Sequence, residues 1–210
     1  MRGYIQNVYN SLQMDYTEGT FYSHIQSLFN REFVNANGVE LGLNHYSIEA
    51  QPSQDGRFPD FAIWDEENEL ITRIEAKRPE ISLSVCLEEN QNQLINYLNE
   101  ATGHPNLILT NFLSFAFVRL EAGEAVFDGD IYFIAQSLED LSNNPAQNLV
   151  AQAATEFRNL LTIIASLEAS EVNSVSTTMN YMILLSHAVE DIFNQNEITM
   201  PGVTEEHNNV

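Results

Sequence analysis

The chain has 210 residues, 44% of them hydrophobic, and its 30 acidic and 8 basic side chains give a formal net charge of -22 and a pI near 4.2. It holds no apolar run of about 18 residues and no apolar N-terminal core followed by a cleavage site, so no membrane contact is expected and the predicted location is cytoplasmic. The single cysteine, Cys86, excludes an internal disulfide and a cysteine-based zinc cluster, while the charge opposes the basic face of a typical nucleic-acid binder.

Met1 to Gln13 sets Tyr4, Ile5, Val8, Tyr9 and Leu12 at helical spacing, which predicts a short amphipathic helix. A second helix starts near Thr17 or Thr20, either of which is a candidate N-cap, with Phe21, Ile25, Leu28 and Phe29 on one face. Asn35 to Gly42, with two glycines, reads as a loop, and His45 to Ala50 as a short alternating strand. Gln51 to Gly56 is a linker rich in turn-forming residues, and Arg57 to Pro79 follows as RFPDFAIWDEENELITRIEAKRP. Its two apolar runs, broken around Glu67 and Asn68, predict an antiparallel hairpin that ends at Pro79.

Leu83 to Asn99 is predicted as one helix with Leu87, Leu94, Ile95 and Leu98 on its buried side and Gln93 and Tyr97 adjacent on one face. After a turn at Gly103 to Pro105 come a continuous apolar strand, Asn106 to Thr110, and further strands at Ser114 to Leu120, Ala125 to Phe127 and Ile131 to Ala135. This order predicts an α/β sandwich with a mixed sheet. Ala146 to Leu167 and Val172 to Phe193 follow as two helices, and the acidic segment after Asn194 reads as disordered. The expected organisation is a globular domain over 1–136, a helical connector over 137–195 and a tail over 196–210.

The hairpin carries the chemistry. Side chains on a strand alternate faces, so Glu75 and Lys77 project together while Asp60, opening the first strand, lies opposite the closing end of the second. Two carboxylates with the Ala76 carbonyl make a hard-oxygen site suited to Mg2+, with Mn2+ as an alternative. Lys77 beside them could orient or deprotonate a water, or offset charge developing on a phosphate. The plainer reading is an exposed cross-strand ion pair. Against it, Lys77 is the only lysine in the chain, at a position where Arg, always protonated and rigidly forked, would not serve.

Pro59-Asp60 followed by Glu75-Ala76-Lys77 resembles the motif of the PD-(D/E)-x-K nucleases. Together with Gln93 to Leu98 and Leu107 to Phe112, the stretch from Glu18 to Leu120 is similar to the N-terminal nuclease domain of single-chain restriction-modification enzymes of the type ISP and IIG kind. The resemblance implies a restriction-endonuclease-like αβββαβ core with a mixed central sheet, followed by a C-terminal helical pair. It also implies a Mg2+-dependent DNA endonuclease acting on double-stranded DNA, with Asp60 and Glu75 as metal ligands and Lys77 as a catalytic group. Glu18, near the start of the helix that leads into the sheet, matches a family Glu that approaches the metal; otherwise it is a carboxylate favouring a helix N-terminus. Gln93 matches a Gln that points toward the motif; otherwise it is a surface amide.

In the resembled enzymes a helical spacer leads to an adenine methyltransferase, so a DNA-recognising or methyltransferase module, in cis or in trans, is the expected partner, and the helical pair could also form a homodimer. The acidity leaves a second reading open, a catalytically idle nuclease-derived fold or acidic DNA mimic that occupies another enzyme's basic cleft.

Overall fold

The computed structural model describes residues 1–14, 16–50, 59–99 and 106–167. Met1–Glu171 form one compact unit. The expected helix over Val172 to Phe193, the tail, the linker before Pro59 and the turn at Gly103 to Pro105 lie outside the described residues.

α1 (Arg2–Leu12) buries Tyr4, Ile5 and Val8. A short 3-10 turn, Glu18–Phe21, opens from a Thr17 capping box and runs directly into α2 (Tyr22–Val34), which buries Ile25, Leu28, Phe29 and Phe33. The predicted loop at Asn35 to Gly42 is instead a helical turn, α3 (Ala36–Glu40), capped by the Asn35 side chain accepting from the Gly38 N–H. Gly38 is there for clearance rather than for turning: a Cβ on it would come within 2.1 Å of the Phe33 carbonyl oxygen.

β1 (Ser47–Ala50), β2 (Phe61–Trp64) and β3 (Leu70–Ala76) form an antiparallel meander. The β2–β3 turn is tied by Asp65, whose Oδ1 accepts from the N–H groups of Glu67 and Glu69, with Asn68 at φ 59°. The predicted single helix after Pro79 is two, α4 (Leu83–Glu89) and α5 (Gln91–Leu98). Asn90 divides them where its backbone leaves the helical region, at φ -112° and ψ 19°, with its side-chain amide and its own N–H both donating to the Cys86 carbonyl.

The chain then enters β4 (Leu107–Thr110), parallel to β3 in the register Glu75↔Leu109, and returns through β5 (Ser114–Glu121) and β6 (Glu124–Phe133), both antiparallel. The two last predicted strands are one, because the register slips between Ala116 and Phe117 and the chain bulges at Gly129, φ 81°. The sheet has the order β1-β2-β3-β4-β5-β6 and is mixed, so the helix, three strands, helix, strand succession is present as an αβββαβ core.

Helices cover both sheet faces. Residues of α1 and α2 bury one face in a cluster that includes Phe61, Ile74, Phe112 and Phe115, while α4 and α5 bury the other against Leu107, Leu109, Ala116 and Val118. α6 (Gln147–Ser166), expected as the start of a connector, inserts Phe157, Leu160, Leu161 and Ile164 into the first cluster, with Phe157 packed on Phe29 and Phe115. Among the described residues no helix is long and apolar enough to cross a membrane.

The β4–β5 turn fixes the end of the sheet where the motif lies. Phe112 is fully buried at φ 68°, a conformation unfavourable for a bulky residue, and it is held there by bonds from its N–H to the Thr110 Oγ1 and from the Tyr4 hydroxyl to its carbonyl. Its ring lies 4.9 Å from that of Phe21, which ties the start of α2 to this end of the sheet.

Candidate active site

Proline at position 59 and the entry into β2 place Asp60 at the mouth of the hairpin, one residue before the Phe61↔Ile74 pair. Asp60 is buried, and its Oδ2 accepts from the Ala76 N–H at 2.8 Å, across the hairpin on β3. Glu75, one residue earlier on that strand, is 3% exposed. Lys77 leaves the strand with its N–H still bonded to the Thr110 carbonyl at 2.8 Å, so β4 fixes the base of its side chain.

The Lys77 ammonium donates to Glu75 Oε1 at 2.5 Å and to Gln93 Oε1 at 3.1 Å, and Gln93 in turn donates from Nε2 to the Tyr97 hydroxyl at 2.8 Å. The break at Asn90 starts α5 afresh, and its first turn carries Gln93 over the motif. The Glu75–Lys77 pair, i and i+2 along one strand, is therefore enclosed rather than solvent-exposed, and the Gln93 amide is engaged rather than on open surface. Glu18 lies in the first turn of the 3-10 segment, half-buried, and approaches Asp60 through Tyr22, whose hydroxyl bonds Asp60 Oδ1 and lies 3.5 Å from Glu18 Oε1. In this fold the first-turn position of Glu18 is also the one that brings it beside Tyr22.

Tyr22 is the residue that sequence reasoning missed. It sits four positions after Glu18, a spacing that puts the two side chains on one face of the 3-10 and helical turns, but only the fold brings them to Asp60.

The electrostatics have one dominant cause. Burial raises the carboxyls of Asp60, Glu75 and Glu18 above their ordinary range; for Glu75 burial and the neighbouring Asp60 carry it to about 7. Burial pulls the Lys77 ammonium the other way, but Glu75, Glu18 and Asp60 outweigh it, and Lys77 ends above its usual value. One ammonium thus faces three carboxyls, and Glu75 Oε2 is fully buried with no hydrogen-bond partner. A buried carboxylate oxygen without a partner is left with an acceptor position to fill.

Among the described residues no three His, Cys, Asp or Glu side chains gather as a self-contained metal centre. Two adjacent carboxylates with open positions fit Mg2+, which binds through one or two carboxylates and keeps waters, better than a caged transition metal.

No protein-family model matches the sequence, and no curated protein matches it either. Among solved structures, the type IIG restriction endonuclease BpuSI is similar at 12% identity and a TM-score of 0.45, over 84% of this chain and 22% of that one. DrdV, in a complex with DNA, is similar at 13% identity and a TM-score of 0.43, over 80% of this chain and 14% of that one. The chain thus spans about a fifth and about a seventh of the lengths of the chains it matches.

Proposed function

We propose that this chain is a Mg2+-dependent DNA endonuclease that hydrolyses a phosphodiester bond, and that it serves as the cleavage module of a restriction-modification system. The observation that carries the reading is the enclosed cluster of Asp60, Glu75 and Lys77 with the unpartnered Glu75 Oε2. Asp60 and Glu75 would hold the metal, with Glu18 behind them. Bound there, Mg2+ supplies polarisation of a phosphate oxygen and activation of a water.

The chain's own groups divide the remaining work. Lys77 keeps its proton, so it acts as a donor that orients the attacking water and offsets charge on the phosphate, rather than as the base. Gln93, its amide fixed by Tyr97, holds the ammonium in place. The hydrophobic cover that α4 and α5 lay over β4 and β5, beside β3, limits competing water and strengthens these interactions.

DNA affinity beyond the site has to come from elsewhere. Arg31, Arg119 and Arg158 are each paired with a carboxylate, and Arg78, exposed and next to Lys77, is the basic side chain at the site with no ion pair among the described residues. A DNA-recognising or methyltransferase module, joined or separate, therefore belongs to the proposal, with double-stranded DNA as substrate and a homodimer as one way to cut two strands.

The test is conversion of supercoiled plasmid to nicked and linear forms with Mg2+ or Mn2+, comparing the chain with Asp60→Ala and Lys77→Ala. Metal-dependent conversion lost in both variants supports the reading. The charge of -22 favours one rival, an acidic mimic that binds a nuclease's basic cleft; tight binding to a purified nuclease, with no cleavage by the parent chain, would decide for it.

A further inference from the structure

The site contains a polar group to which the chemistry above gives no task, the hydroxyl of Tyr22. Its ring packs on Phe61 with centroids 5.0 Å apart, and Phe61 is the residue directly after Asp60. The ring is therefore seated by the same strand that carries the carboxylate, and its hydroxyl is delivered to Oδ1 while the Ala76 N–H holds Oδ2. A carboxylate held by one donor can still turn about its Cβ–Cγ bond, whereas one held at both oxygens has its plane fixed. A carboxylate offers about four lone-pair directions, so two donors leave each oxygen able to face a cation as well.

The hydroxyl has one proton to give and two acidic neighbours. Asp60 receives it, and Glu18 Oε1 stands at 3.5 Å. As a phenol, the hydroxyl carries its proton at neutral pH and donates it.

We propose that Tyr22 is the positioning residue for Asp60: by donating to Oδ1 opposite the Ala76 N–H, it sets the plane in which the carboxylate meets a divalent cation, an inference that rests on the nuclease reading. The competing account is packing alone, with the hydroxyl satisfied by the nearest acceptor. Tyr22→Phe keeps the ring on Phe61 and removes only the donor, so it separates the two.

The experiment measures Mn2+ binding to the full chain without DNA, by the electron paramagnetic resonance signal of the free ion. Thermal unfolding of the metal-free protein is recorded beside it. The expected result for Tyr22→Phe is an Mn2+ dissociation constant raised about 10–100-fold, the range for outer-sphere partners of metal ligands, with the metal-free Tm moved by no more than a few degrees. Plasmid cleavage should fall at limiting metal and recover at saturating metal. If Tyr22→Phe binds Mn2+ within about twofold of the parent while Asp60→Ala does not bind it, the positioning role is overturned and the nuclease reading stands. If the parent binds no Mn2+, the metal site and this role fall together.

Discussion

Glu75→Gln should make the metal-free protein more stable while destroying its activity. Glu75 is 3% exposed and its carboxyl is raised from 4.5 to about 7, so above pH 7 the folded chain bears a buried charge that the unfolded chain would carry in water. A carboxyl whose folded pKa lies above its unfolded value contributes stability that is intact below about pH 4.5 and is lost as pH rises through about 7. At about 1.36 kcal/mol per pKa unit this loss is about 3 kcal/mol at pH 8. Gln resembles the protonated form and recovers up to that amount, less what the weaker bond to Lys77 forfeits. For a chain of this size the ceiling corresponds to a rise of about 6–12 °C in Tm. Thermal unfolding of parent and variant at pH 4, 6 and 8.5, without divalent ions, measures it. The gain should be absent at pH 4 and largest at pH 8.5. Saturating Mg2+ should close the gap, since a ligand at a hundred times its Kd stabilises the parent by about 2.7 kcal/mol. An unchanged or lower Tm at pH 8.5, or the same gain at pH 4, would refute the account of Glu75 as a strained, metal-awaiting charge.

Other outcomes follow from the same geometry. Lys77→Arg keeps the charge but cannot fit a planar fork between Glu75 Oε1 and Gln93 Oε1, so plasmid cleavage should fall by about 10²–10³-fold, close to Lys77→Ala. Mg2+ affinity, read by calorimetry, should rise between pH 6 and pH 8 because the Glu75 proton must leave when the ion binds. Gly38→Ala should cost about 1–3 kcal/mol or more in denaturant unfolding, since the added Cβ meets the Phe33 carbonyl oxygen at 2.1 Å. Phe157→Ala should cost about 3–5 kcal/mol in the same assay, because α6 is a wall of the core; a loss under about 1 kcal/mol would show that the helix is dispensable to it.

The motif was legible in the sequence because it depends on short-range rules. A period of two puts Glu75 and Lys77 on one face, a polar break makes the hairpin, and the hairpin brings Asp60 to the Ala76 N–H. What escaped depends on the third dimension. Asn90 looks like any polar helix residue until its amide turns back on the Cys86 carbonyl, and without that break α5 would not start where it does, two residues before Gln93. The two glycines of Asn35 to Gly42 read as a loop, yet Gly38 is helical and required by a close approach. Ala125 to Phe127 and Ile131 to Ala135 read as two strands because a bulge interrupts alternation without ending a ladder. Tyr22 belongs to a helix start in sequence and to the candidate site only after Phe61 has folded beneath it.

The position of Lys77 also gives this protein a built-in reporter. A chain with one lysine has one ε-ammonium, and here that group is held between Glu75 Oε1 and Gln93 Oε1, with 16% of its side chain exposed. Isotopic labelling of lysine alone would yield a spectrum with a single side-chain nitrogen signal, originating in the candidate catalytic centre. Its protons, shielded and hydrogen-bonded, should exchange with water slowly enough to be followed. Arrival of a divalent ion at Glu75 would then be seen as the movement of one resonance, with no substrate, no mutation and no assignment required.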